Sequence, residues 1–153
     1  MNIKKLLGLV LVATSTLVLA DAASDTGVHQ KTSSDIEARQ KIFKGFKKEM
    51  GLMSKEVKAS NFNAAEFLAA ATRLDSAASS PWVHFPVGSN GGDSEAKPTV
   101  WSKPAEFKQA ADNFKAEAAK LKRVADTNNL DQIRAQLGAT GATCKACHDS
   151  FKQ

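Results

Sequence analysis

"LDQIRAQLGATGATCKACHDSFKQ", Leu130 to Gln153, carries the architecture and the chemistry together. Leu130, Ile133, Leu137, Thr140, Cys144, Cys147 and Phe151 follow one another at alternating steps of three and four, the spacing of a helix that turns one face to a bundle core. Both cysteines therefore stand where core side chains would otherwise be. His148 follows directly, and residues three and four apart share a helix face, so the two thiols and the imidazole project to the same side. Cys-x-x-Cys-His is the attachment signature of c-type haem, in which the thiols bond to the vinyl groups and the imidazole binds the iron. A haem held this way has to lie inside the bundle.

Working back along the chain, three more stripes keep the same register. The first holds Ile36, Phe43, Phe46, Met50, Met53 and Val57, and the second Ala64, Phe67, Ala71, Leu74 and Ala78. The third holds Phe107, Ala111, Phe114, Ala118, Leu121 and Ala125. Ser34 or Asp35 can cap the first helix, Ser60 or Asn61 the second and Asn129 the last, while Lys103-Pro104 opens the third. Two of the three connections are short, which favours antiparallel neighbours. The expected fold is all-α, an antiparallel up-down-up-down four-helix bundle.

Ahead of the bundle, Lys4 and Lys5 precede the apolar run "LLGLVLVATSTLVLA", which ends in small residues, so residues 1–20 read as an export signal cleaved after Ala20 or Ala22. The run is too short, and too soon followed by polar chain, for a membrane anchor. Residues 21–34 are expected to form a mobile lead and residues 35–153 the bundle. Export implies the periplasm, where bacterial c-type haem is assembled. Of the 21 basic residues two leave with the signal, so 19 face 16 acidic ones, a net charge of +3. Acids and bases alternate along the chain instead of forming a basic stripe, which excludes a nucleic-acid partner.

Two features interrupt the regular pattern. The connection from Ser79 to Lys103 is long, rich in Gly and Pro, and carries Trp82, Phe85 and Trp101, residues suited to covering a large flat apolar group. In the first stripe Arg39 occupies a core position. A guanidinium aimed at a core needs an anion or satisfied donors, and the two haem propionates would supply the first; a path along the helix to solvent, or a neighbouring acid, is the other reading. Gly138 and Gly141, before Cys144, allow a close approach by a neighbouring helix or the macrocycle, or else a bend.

These residues resemble the cytochrome c prime family, the class II c-type cytochromes, from about Asp35 to Lys152. "ARQ" at Ala38 to Gln40 is similar to the family's first-helix haem-contacting arginine and glutamine. "PWVHF" at Pro81 to Phe85 resembles its tryptophan and phenylalanine beside the haem, "GGDSEAKPTVW" its Gly-Gly loop, and "CKACHDSF" its attachment site. The resemblance implies a four-helix bundle with the haem near the end of the chain. It also implies haem contacts from Arg39, Gln40, Phe43, Trp82, Phe85 and Lys152, and a homodimer through the first two helices. Two positions depart from the pattern: Phe43 stands where an apolar residue, commonly leucine, faces the open side of the iron, and Lys152 where arginine is frequent.

The sixth iron position separates the possible functions. No methionine follows His148, leaving Met50, Met53, His29 and His84 as conceivable protein ligands. Met50 lies eleven residues beyond Arg39, roughly 16 Å along a helix, so both do not easily serve one haem. His29 falls in the polar lead. Phe43, one turn from Arg39, is the expected cover of the iron, and a phenyl ring cannot coordinate. The expected protein is then five-coordinate through His148, binds nitric oxide and carbon monoxide in an apolar pocket, exchanges single electrons with an unidentified redox partner, and is not an enzyme. An apolar pocket without a hydrogen-bond donor does little for the charge on bound dioxygen. The rivals are a low-spin electron carrier with a protein sixth ligand, and a haem-free dithiol or metal protein using Cys144, Cys147 and His148, whose three ligands leave a zinc site incomplete.

Overall fold

The computed structural model describes residues 22–153, with side chains from Gln30 onward. The expected export segment and the His29 side chain lie outside the described residues. Helix α1 spans Ala22–Glu56, α2 Ala64–Ala77, α3 the single turn Thr99–Ser102, α4 Pro104–Ala125 and α5 Leu130–Phe151. A 3-10 turn, Pro81–His84, follows α2. The four long helices form the bundle, with α1 packed on α2, α2 on α4 and α4 most extensively on α5.

Each stripe is the buried seam of its helix. Met53, Phe67, Ala71, Leu74, Ala118, Leu121, Ile133 and Thr140 are sealed from solvent, and the remaining stripe positions are buried or half-buried. Burying a Leu, Ile, Phe or Met side chain stabilises by roughly 1.5–3 kcal/mol, so the seams hold the bundle shut. Thr140 satisfies its hydroxyl within α5 and on α4, donating to Gln136 O at 3.0 Å and Glu117 O at 3.3 Å.

The helix ends match the expectation in two places and differ in two. Pro104 opens α4 in its first turn, and Asn129 caps α5 by accepting from the Gln132 N–H at 3.1 Å. The cap of α2 is Asn63, not Ser60 or Asn61: its Oδ1 accepts from Glu66 N at 3.1 Å. Helix α1 is already formed at Ala22, the first described residue, and runs on through Ser34 and Asp35 and the stretch expected as a lead. Ser34 therefore works inside the helix, donating to Lys31 O at 2.8 Å, and Asp35 is free to reach across to the loop.

Candidate haem site

The cysteine helix runs unbroken through Gly138 and Gly141. A Cβ on Gly141 would meet only Met50 Cε, at 4.0 Å, and one on Gly138 nothing at all. Gly141 thus marks where α1 passes α5. Beyond it Cys144 and Cys147 are half-buried and His148 is exposed. Neither cysteine is in a disulfide. Cys144 packs on the rim of the main core with Phe43 and Trp82, and Cys147 on the rim of a smaller core formed by Ala96, Val100 and Phe151, with Phe85, Trp101 and Phe107.

Aromatic rings join the two cores. Phe43 meets Phe46 at 5.6 Å, Trp82 at 5.9 Å and Phe85 at 6.3 Å between centroids, and Phe107 meets Phe85 at 5.0 Å, Phe151 at 5.3 Å and Trp82 at 5.8 Å. Most are edge-to-face, the favourable arrangement of ring quadrupoles. The loop's aromatics Trp82, Phe85 and Trp101 pack on the same two cores as the cysteines. A groove of about 660 Å³ between α4 and α5, lined by Ala105, Ala110, Ala142, Ala146, Cys147 and Phe151, reaches one cysteine but not Cys144 or His148.

Electrostatics favour neutral side chains at the attachment motif. Burial pushes the Cys144 thiol up, and burial and then Cys144 push Cys147 up to about 11. Reactive dithiols show the opposite, a depressed thiol pKa. Partial burial, and then the Lys152 charge, hold His148 below the ordinary histidine range, against Asp149 and Glu95. A neutral imidazole is the form that binds a metal. Lys152, one turn on, pairs its Nζ with Glu95 Oε2 at 3.0 Å. Around it the end of α5 is fastened to the loop: Lys97 N donates to Phe151 O at 2.9 Å and Gln153 N to Glu95 O at 2.8 Å.

Arg39 is buried to 3% exposure, and its donors go to the loop. Nη1 donates to His84 O and Ser89 Oγ, each at 2.8 Å, and Nη2 to Ser89 O at 2.5 Å and Ser94 Oγ at 2.7 Å. Its guanidinium carbon stands 4.5 Å from the Phe85 ring centroid, a cation over a π face. Burial lowers its pKa, which Asp35 partly opposes. The arginine thus neither snorkels to solvent nor forms an ion pair with a neighbouring acid; loop oxygens take the four N–H donors of Nη1 and Nη2. Gln40 Nε2 adds a bond to Asp93 O at 2.8 Å, and Asp35 Oδ1 meets His84 Nδ1 at 2.7 Å.

The residues present fit a haem tethered through thioethers. Two unpaired thiols one turn apart on one helix face share their cores with partly exposed aromatic rings, and the next imidazole is held below the ordinary histidine range. Among the described residues no three His, Cys, Asp or Glu side chains are gathered so as to hold a metal ion. A macrocycle needs no such convergence, because its attachment points lie at its periphery and its iron at its centre. Ser89, fully buried between helix and loop, and the fastening of residues 95–97 to 151–153 are parts of this region that the sequence did not announce.

Residues 34–152 match the Cytochrome C' family. The cytochrome c' of Alcaligenes xylosoxydans xylosoxydans is 36% identical over 124 residues, covering 80% of this chain and 96% of that protein. A solved nitric oxide complex of a leucine-to-alanine variant of cytochrome c prime from Alcaligenes xylosoxidans superposes with a TM-score of 0.74 at 34% identity, over 80% of this chain and 95% of the other. A further cytochrome c', described as having an unusual ligand-controlled dimer dissociation, gives 0.75 at 26% identity, over 79% and 95%. The chain belongs to the cytochrome c' family and carries, as members of that family do, a covalently attached c-type haem.

Proposed function

We propose that this chain is a periplasmic haem protein whose iron is bound on one side only, by His148, and takes nitric oxide or carbon monoxide on the side covered by Phe43. Cys144 and Cys147 are the tethers. Trp82 and Phe85 complete the apolar wall, Arg39 and Gln40 hold the loop that carries them, and Lys152 stands beside His148. The bound haem supplies an iron centre that accepts one electron and coordinates a diatomic ligand.

The observation that carries this reading is the set of rings around Phe43: Phe46, Trp82 and Phe85 meet it, none of the three has a side-chain atom that ligates iron, and the Trp82 N–H is spent on Ala78 O. The methionines are engaged elsewhere: Met53 is sealed inside the main core, and Met50 packs on that core and lies beside Gly141. His84, whose Nδ1 meets Asp35, is the rival ligand that the spectrum of the iron has to separate from an open site. A wall of this kind offers bound dioxygen no hydrogen bond, whereas nitric oxide and carbon monoxide need none. The nitric oxide complex of a relative supports the same ligand class. Titrating the reduced holoprotein with nitric oxide and with carbon monoxide, followed by absorption, tests it. Saturable spectral change with both is expected, and no change with either would contradict it.

Periplasmic location rests on the export-type segment 1–20; no helix among the described residues is long and apolar enough to cross a membrane. One-electron exchange with a partner protein belongs to the same reading. So does a homodimer through α1 and α2, supported by the relative whose dimer dissociates under ligand control. Lys44, Lys47, Lys48 and Lys55 are exposed on α1, so such an interface has to leave them at its rim. Sedimentation with and without nitric oxide checks it, a monomer in both conditions being the contrary result.

A further inference from the structure

We infer that Ser89 is a positioning residue for the wall over Phe43: by anchoring the Arg39 guanidinium it holds Phe85 against Phe43, and so sets how fast a diatomic ligand reaches that side. The inference rests on the functional reading above. Ser89 has no solvent exposure, and its hydroxyl does two things at once. It accepts from Arg39 Nη1 at 2.8 Å and donates to Pro86 O at 2.8 Å, while its own carbonyl accepts from Nη2. The loop is shaped to turn it inward: Gly88 and Gly92, on either side, adopt φ of +86° and +57°, which favour glycine.

Through these bonds one side chain controls the placement of another. Arg39 reaches Ser89 and Ser94 with its nitrogens and lies over the Phe85 ring with its face, and Phe85 in turn meets Phe43 and Phe107. The Phe85 backbone is held from the other side, where Trp101 Nε1 donates to Phe85 O at 3.1 Å and Pro86 O at 3.0 Å. Phe85 is thus clamped between α1 and the segment before α4, and the α1 jaw of the clamp is Arg39, which holds Ser89 by two bonds and His84 O and Ser94 Oγ by one each, with Asp35 on His84 beside it. Without the Ser89 hydroxyl one guanidinium N–H loses its acceptor in a buried setting, and Pro86 O keeps only its bonds from Ser89 N at 3.1 Å and Trp101 Nε1 at 3.0 Å. The loop then opens more often, and Phe85 leaves Phe43 with it.

The test uses the holoprotein and two readouts. Ser89→Ala is expected to raise the carbon monoxide association rate, measured by flash photolysis, by about tenfold, the scale of one hydrogen bond to a charged group. It should also speed hydrogen exchange of the amides from 86 to 94. Ser94→Ala, at a half-buried position, is expected to do the same to a smaller degree, and carries the test if Ser89→Ala loses its fold. Ile133→Val, in the core roughly 16 Å along α5 from Cys144, should lower the melting temperature with no change in rate. A loop that exchanges faster while the rate stays unchanged would overturn the inference. Phe43→Ala separates the two possible failures. A faster rate there, with none in the serine variants, overturns the clamp alone, and no change in any variant overturns the wall as well.

Discussion

Replacing Phe43 by alanine removes the ring on which the functional reading turns, and both of its consequences can be sized. Full truncation of a buried Phe destabilises a protein by about 3–5 kcal/mol. Phe43 is only half-buried, so its share of that is about 2 kcal/mol, including ring contacts with Phe46, Trp82 and Phe85 worth about 0.5–1.5 kcal/mol each at full strength. Equilibrium unfolding in urea, followed by far-UV circular dichroism, should show a loss of that size with an unchanged slope. The same figure sets the kinetic effect. A ligand arriving at the iron has to displace the ring from packing worth about 1.5–2 kcal/mol, so its removal raises the association rate by about 10–30-fold. Flash photolysis of the carbon monoxide adduct measures this directly. Stability falling as expected while the rate stays within about twofold of the parent would show that Phe43 is core packing and does not cover the iron.

Arg39→Leu removes four donated bonds from a buried setting and leaves Ser89 Oγ, Ser89 O, Ser94 Oγ and His84 O without them; a loss of about 3–5 kcal/mol in urea unfolding is expected. Gly138→Ala meets no atom within 4 Å in the interior of α5, so it should stabilise the bundle by about 0.8–1 kcal/mol in the same assay. Asp112 is held at about 2 by hydrogen bonds from Lys108 and Lys115. Its contribution is therefore present above the ordinary carboxylate range and is lost as pH falls through about 2; acid titrations of the parent and Asp112→Asn should separate above pH 4 and converge near pH 2. In Cys144→Ala/Cys147→Ala no thioether can form, and intact mass after export should be that of the bare polypeptide.

What the sequence disclosed and what it withheld differ in kind. The four seams were readable because burial follows the helical period, and every position in them, down to the cysteines, is buried or half-buried. Pro104 and Asn129 were readable because a missing N–H and a short acceptor side chain each have one natural place at a helix start. The start of α2 was mislocated because "SNFN" offers three competing caps, and only the Glu66 spacing singles out Asn63. Ser34 and Asp35 look like caps but lie inside α1, where Ser34 bonds back into the helix and Asp35 meets His84. Arg39 was legible as an intruder, but its partners were not: two of its four acceptors are backbone carbonyls 45 and 50 residues away, which carry no side-chain signal. The pinning of the chain's last residues to 95–97 escaped notice for the same reason.

The coordination of the resting iron decides the account most directly. Resonance Raman spectra of the purified holoprotein, oxidised and reduced, are predicted to show a five-coordinate high-spin centre with a histidine–iron vibration from His148. A six-coordinate low-spin centre in both oxidation states would place a nitrogen or sulfur side chain where Phe43 is assigned, and would make the protein an electron carrier with no open site for a gas.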